Sequence, residues 1–478
     1  MKCSFIGPVF KGRAIGVDGQ ECTNFYLEQN MIPESKSPWS LIGTPGLELF
    51  AQVGNGLFRG WIVSARERLL IAVGNQLLEL FPDRSTKIIG LLKTFKGPMT
   101  FAEIQTSAEG YSSQIMCVDG VAGYVYDTAA STFTQLTGDY QAGTSIVAVG
   151  NRFIQNINDT AKAIYSEPYS ATFHAGLNYI VAEGLADPIV SIQTINNELW
   201  LIGSKSTEIW TQTGLLDNPY ARSSVGFVNT GAAGKYCSAT ANNQLLWIGN
   251  NKTVWQASGY LPARISTHAI EYIIGQIGDI SDCIAYSYQQ EGHQFVIFNF
   301  VSGNRTLVYD LITGMWHERA SFEKMTGENN RHRVTSAVAW QGMTLAADTG
   351  NNNIYSMSLD NRTDNGEIIK RIRVAPHIHE DRKRLFFNEF EIDMLRGVGL
   401  LPTAQGEDPQ VMLSWSNDGG YTYGNEHWIT AGRIGKRLTR IHMHRLGMSR
   451  DRVFKAVFTD PVKWLLIDAR IDAKIEVG

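Results

Sequence analysis

An all-β chain is predicted: a six- or seven-bladed β-propeller with an extended N-terminal arm and a C-terminal β-sandwich. Three observations predict it. Short apolar strands flank Gly/Asn turns at a spacing of roughly four dozen residues; Gly and aromatics are abundant while helical periodicity is scarce; and the pattern changes near residue 365. The clearest repeats are Asn196 to Trp210 and Asn242 to Trp255, where Asn196, Asn197, Leu199 and Gly203 recur 46 residues later as Asn242, Asn243, Leu245 and Gly249. One blade cannot bury both faces alone, so one repeat implies stacked neighbours.

Five further hairpins follow the pattern. Leu69 to Leu80 turns at Gly74-Asn75, Gln114 to Tyr126 at Asp119-Gly120, and Asn151 to Tyr165 at Asn158-Asp159. Gln294 to Tyr309 turns at Gly303-Asn304, and Met343 to Tyr355 at Gly350-Asn351. The propeller therefore occupies residues 59–365. Residues 1–58 read as an extended arm, with Asn24 to Asn30 followed by turns at Pro38 and Pro45-Gly46. Such an arm can pack along the propeller, complete its closing blade, or reach a neighbouring subunit. His268 to Gln276, apolar at Ile270, Ile273 and Ile274, predicts a helix packed on the propeller face.

Residues 366–478 read as the sandwich. Phe390, Ile392 and Met394 alternate with Glu391 and Asp393, and Val411, Leu413 and Trp415 begin a second strand. Phe454, Ala456 and Phe458 mark a third, and Ile467, Ala469, Ile471 and Ala473 predict the inward face of the last. Between them, Ser416-Asn-Asp-Gly-Gly-Tyr-Thr-Tyr423 matches an Asp-box turn with Tyr in place of the usual Trp. Ser416, Asp418, Gly420, Thr422 and Tyr423 then stabilise a hairpin and carry no chemistry.

At 478 residues, with 44% hydrophobic residues, the chain supports two or three domains and a large core. A net charge of −4 excludes a generally basic nucleic-acid binder, so any DNA contact must be local. The five cysteines lack CxxC spacing, which favours reduced thiols. The N-terminus shows no secretory apolar region, and no apolar run approaches the ~18 residues of a membrane span, so no integral membrane association is expected.

No catalytic, cofactor-binding or metal-ligating residue is nominated. Thr230 to Tyr236 (TGAAGKY) resembles a phosphate loop, but Asn229 and Tyr236 stand where Gly and Ser or Thr are required; it reads as a tight turn entering a strand. His377 with His379 and His442 with His444 each place two imidazoles on one strand face, yet no third ligand lies at clear spacing. Two segments are basic, Lys370 to Arg384 and Arg433 to Lys455. Lys370, Arg371, Arg373, Arg382, Arg384, Arg437, Arg440, Arg445 and Arg450 are the candidate interface to a partner or to DNA.

Taken together, Asn24 and Tyr26, Pro45-Gly46, Arg59-Gly60, Gly203 to Gly214, Gly231 to Cys237, Ile270-Glu271 and Leu307 to Asp310 form an ordered series. It continues through Asp418-Gly419, Tyr423-Gly424 and Arg437, Arg440, Arg445, Gly447 and Arg450. In this order the chain resembles the packaged-DNA stabilisation proteins of short-tailed bacteriophages. The resemblance implies a structural virion protein of the tail, assembled in the host cytoplasm, without enzymatic activity or cofactor. It implies a ring of six copies below the portal and its adaptor, with the DNA channel continued through it and packaged DNA as a contact. The plug or needle and the spikes or fibres would be its other partners. The alternative from another class is a glycan-binding or sialidase-like propeller, which requires repeated Asp boxes and a central arginine cluster.

Overall fold

The computed structural model describes residues 2–32, 34–106, 112–185, 187–381, 383–402 and 404–475. Each of the seven hairpins forms the two middle strands of an antiparallel sheet: Leu69–Val73 with Gln76–Leu80, Ser113–Val118 with Gly123–Asp127, and so on to Met343–Ala347 with Asn353–Ser358. The sheets occupy residues 58–91, 100–135, 146–181, 189–228, 238–264, 284–318 and 336–358. Burial explains why these segments are strands. Leu69–Val73 and His293–Phe300 are buried at every position, as central strands covered on both faces must be.

The repeat spacing has a backbone cause. Asn196 and Asn197 are not part of the central hairpin; they form the preceding two-residue turn, with φ of 49° and 66°, between Ile189–Ile195 and Glu198–Gly203. Asn242 and Asn243 do the same at 47° and 56°, and Gly150-Asn151 at 61° and 55°. Positive φ at both central residues is the hairpin turn that matches strand twist, and Asn and Gly tolerate it best. The offset of 46 is thus the recurrence of a turn requirement.

The innermost strand of each sheet touches that of the next, and Ser336–Trp340 returns to contact Phe58–Val63, closing the circle. Side-chain bonds staple neighbouring blades. Ser145 Oγ accepts from Ile192 N at 2.9 Å, Ser191 Oγ and Ser238 Oγ lie 3.1 Å apart, and Ser287 Oγ donates to Thr240 O at 2.8 Å. Each of these three staples spans 47 residues, one blade repeat. Trp340 Nε1 donates to Glu67 O at 2.8 Å across the final junction.

The described residues therefore form seven blades, and the N-terminal arm supplies part of the last. Gly46–Gln52 pairs antiparallel with Asn353–Ser358 as its outer strand, matching Leu47 to Met357 and Leu49 to Tyr355. The rest of the arm is extended but far from free. Phe25–Gln29 and Trp39–Gly43 join the sheet of Leu465–Ile475, Leu385–Met394 and Ile441–Ser449. Gly19–Thr23 pairs with Arg371–Val374 in the opposing sheet, which continues through Asp451–Phe458, Gln410–Ser416 and His427–Thr430. Thr23 also pairs with Glu318 of the sixth blade. One backbone strand thus links propeller and sandwich.

A single core runs through the junction. Phe390 stacks on Phe454 with centroids 4.2 Å apart, Phe25 meets Phe458 edge-on at 5.4 Å, and Phe5 from the arm meets Phe390 at 5.9 Å. The helix forms over His268–Gln276, where Thr267 Oγ1 caps the Ile270 amide at 3.3 Å. Its buried Ile270, Ile273 and Ile274 belong to the same cluster as the sandwich aromatics. The 230–236 stretch is a turn leading into Ser238–Ala241.

One inward face differs from expectation. In Leu465–Ile475, Leu466, Ala469 and Ile471 are buried, whereas Ile467 and Ala473 are only partly so. Register irregularities at Asp393/Met394 and Phe387/Glu389 shift the strand against its partner and exchange the faces. Among the described residues no helix is long and apolar enough to cross a membrane. Cys22, Cys117, Cys237 and Cys283 are free and buried, with burial pushing the Cys22 thiol up to about 12.

Candidate functional site

The basic residues that looked alike in sequence separate by depth. Arg371 and Arg373 lie in a strand buried at all four positions, 1% and 0% exposed, so they cannot meet a partner or DNA. Both faces of that strand are covered, and the guanidinium groups satisfy backbone instead. Arg373 Nε donates to Phe5 O at 2.5 Å, Nη1 to Pro8 O and Glu21 O at 3.1 and 3.2 Å, and Nη2 to Gln20 Oε1 at 2.7 Å. It clips the first twenty residues to the sandwich. Arg371 Nη2 donates to Thr44 O at 3.2 Å, and its stem lies against Gly43, where a Cβ would come within 2.7 Å of Nε. Burial lowers the Arg371 guanidinium to about 9.

Arg452 belongs with them. It is 1% exposed, donates to Leu446 O at 2.8 Å and Asn417 Oδ1 at 3.0 Å, and lies 4.1 Å over the Phe387 ring. Burial lowers it to about 10. Lys370 is half-buried, with its ammonium 5.0 Å above Phe322.

Arg384, Arg437, Arg440, Arg445 and Arg450 are exposed. Arg382 lies outside the described residues. Arg440 bridges two carboxylates on the neighbouring strand, Nε and Nη2 meeting Glu391 at 3.0 and 2.8 Å and Nη2 meeting Glu389 at 2.9 Å. These bonds hold Glu391 below the usual carboxylate range. An exposed pair of this kind adds little stability but orients its members.

The turn at 416–423 is an internally bonded unit. Asp418 accepts from the Tyr421 and Thr422 amides at 3.0 Å, from Thr422 Oγ1 at 2.5 Å and from Ser416 Oγ at 2.6 Å. Gly419 and Gly420 take φ of 78° and 90°, and the Gly420 amide donates to Ser416 Oγ at 2.8 Å. These bonds hold Asp418 well below its ordinary range. Tyr423 folds back against a cluster of Ile372, Val374, Met412, Val453 and Val457, with Lys455 Nζ 5.1 Å over its ring. Every acceptor on Asp418 is engaged in shaping the loop.

The propeller axis opens into a cavity of about 200 Å³ lined by Ser145, Ser191, Gln193, Ser238, Thr335 and Ser336, together with Arg59 and Lys235. Arg59 is 2% exposed and bound to the Gly97, Gly74 and Thr94 carbonyls at 2.8 to 2.9 Å. It fastens the first blade to the segment that leads into the second. His377 is likewise engaged, with Nδ1 2.8 Å from Asp451 and Nε2 2.9 Å from Ile15 O, while His379 is exposed.

Sequence reasoning missed a buried polar group between the sixth and seventh blades. His293 Nδ1 lies 2.7 Å from Asp310, and Arg319 sits 5.1 Å over the Tyr288 ring. Burial holds His317 and His332 well below the ordinary imidazole value. Their residue types gave no signal, because depth is not a local property.

Comparisons with known proteins agree with this architecture. A family model described as bacteriophage P22 Gp10, beta-propeller, matches residues 21–362, and one described as bacteriophage P22 Gp10, beta-sandwich, matches residues 370–474. No curated protein matches the sequence significantly. Among solved structures, the RRP9 WD40 repeats are similar at 8% identity over 66% of this chain and 99% of that one, with a TM-score of 0.42. Chaetomium thermophilum Raptor matches at 11% identity over 66% and 29%, with a TM-score of 0.41. The computationally designed Ika8 protein matches at 8% over 66% and 100%, with 0.39. Likeness at that level carries no functional weight. The two family matches cover nearly the whole chain, in order and on either side of the junction, and the chain belongs to the bacteriophage P22 Gp10 family, structural proteins of the phage virion concerned with the tail and with DNA stabilisation.

Proposed function

We propose that this chain forms the hub or nozzle of a short-tailed phage tail, below the portal and adaptor. There it continues the DNA channel, retains packaged DNA and anchors the spikes or fibres and the plug or needle. The observation that carries the reading is the match of both domains to one family of phage tail proteins. A ring of copies, six by resemblance, suits a unit whose arm, propeller and sandwich share one core and resist relative motion. The exposed Arg384, Arg437, Arg445 and Arg450 supply positive charge on the sandwich surface for an acidic partner face or for phosphates. Val225 and Phe227 on the outer strand of the fourth blade, 61% and 43% exposed, supply apolar area for a subunit contact.

The geometry does not favour the glycan-processing alternative. The Asp box lies in the sandwich, between Gln410–Ser416 and His427–Thr430, and the arginine at the propeller axis is bound to carbonyls of its own blades. The expected activity is mechanical, and the test is assembly. Mixed with its portal–adaptor complex, the purified chain should form rings visible by negative-stain electron microscopy. An Arg384→Glu/Arg437→Glu variant should form them several-fold less well and with weaker dependence on salt. A chain that stays monomeric beside an intact portal–adaptor complex contradicts the proposal.

A further inference from the structure

The His442 and His444 pair lacks a third ligand in sequence, but the sheet supplies one. Strands Leu385–Met394 and Ile441–Ser449 pair antiparallel with Glu389 opposite His444 and Glu391 opposite His442. The two imidazoles share a face, as residues two apart on a strand must, with ring centroids 4.7 Å apart. One donor atom each from Glu389, His442 and His444 lies within 4.8 Å of the other two. We propose that these three residues form a surface site for a divalent transition-metal ion of the zinc class.

Four features support it. The frame is fixed from behind, because Phe390 and Ile441 on the opposite faces of the same strands are 0% and 1% exposed. The Arg440 carbonyl oxygen, 3.3 Å from His442 Nδ1, selects the tautomer with hydrogen on Nδ1 and leaves the Nε2 lone pair for a metal. Arg440 Nη2 also bonds Glu389 Oε1 at 2.9 Å, the same oxygen that lies 3.9 Å from His444 Nε2, and so fixes that carboxylate beside the imidazoles. Finally, Glu389, Glu391 and Arg440 together leave one negative charge beside the imidazoles, which a divalent cation over-compensates by one. A tetrahedral zinc ion holds its donors roughly 3.3 Å apart, so His444, 57% exposed at its side chain, has to turn inward by about an ångström. Its ring contact is with His442, a fellow ligand, so the movement stays within the site. Two nitrogens and one oxygen select zinc, copper or nickel over calcium or magnesium. Three protein donors leave a position for water or for a donor from an adjoining molecule.

The test is calorimetric titration of the full chain with Zn²⁺ at neutral pH. The expected result is one tight equivalent that His442→Ala and His444→Ala each weaken by more than about tenfold, since even outer-shell changes cost that much. Glu389→Gln should weaken it as well, His379→Ala should leave it unchanged, and Ca²⁺ should give no matching isotherm. All four side chains lie on the solvent side of their strands, so unchanged circular dichroism spectra and melting curves of the metal-free variants confirm that folding is intact. Absence of a stoichiometric site in the wild type, or an equal affinity in the His442→Ala/His444→Ala double variant, overturns the proposal.

Discussion

Arg373 is the residue that ties the N-terminus to the sandwich. Acceptors of its guanidinium lie at residues 5, 8, 20 and 21, more than 350 positions away in sequence. Removing the guanidinium strands buried carbonyls, and a buried charge-assisted network is worth more than its exposed counterpart. Arg373→Ala should therefore destabilise the protein by roughly 3–5 kcal/mol. It should also open residues 2–22 to limited proteolysis. A variant that melts at the wild-type midpoint with an uncut N-terminus contradicts that role. Arg440, by contrast, is exposed, and Arg440→Ala should leave the unfolding midpoint almost unchanged; equilibrium urea unfolding distinguishes the two arginines.

At the scale of elements, Gly46–Gln52 completes the seventh blade from the other end of the propeller sequence. Without it the edge of Asn353–Ser358 is unpaired, and an open edge in a buried sheet invites aggregation. Leu47, 1% exposed in the core beneath that strand, is its anchor. Leu47→Ala should cost about 2–5 kcal/mol by transfer and cavity terms together. Hydrogen exchange should show the loss concentrated in the seventh blade and in Phe58–Val63, which it abuts. Uniform exchange across all blades contradicts a local role for this strand in the seventh blade. The central hairpins were legible in sequence because each joins short, nearly continuous apolar runs, buried on both faces, through a polar turn that often carries Gly, Asn or Asp. The arm's part in the closing blade was only one of three options in sequence, since GLELFAQ has no sequence neighbour to pair with; its partner lies about 300 residues away. The last strand, 465–475, shows the same limit on a smaller scale, because a bulge at Ile467, skipped between the pairs Asp393–Asp468 and Met394–Leu466, moves Leu466 inward and Ile467 outward without altering either residue type.

At the scale of the molecule, arm, propeller and sandwich are bound by one aromatic core and one strand shared across their sheets. The fold class could be read from the repeat and the change of pattern near 365. The surface chemistry could be read only in part: charge is visible in sequence, but burial removes Arg371 and Arg373 from the candidate surface, and cross-strand register brings Glu389 to His442 and His444. Both effects are long-range. The Asp-box turn was legible because all its bonds are local, from Ser416 to Thr422. A rigid disc whose polar groups are committed to holding its own blades suits a structural part of a tail. Electron cryomicroscopy of intact virions tests that claim most directly. The account predicts a closed ring of this chain at the distal end of the portal, each copy fitting the seven-bladed disc with its sandwich attached; a virion whose tail lacks the chain, or holds it as a solitary peripheral copy, would contradict it.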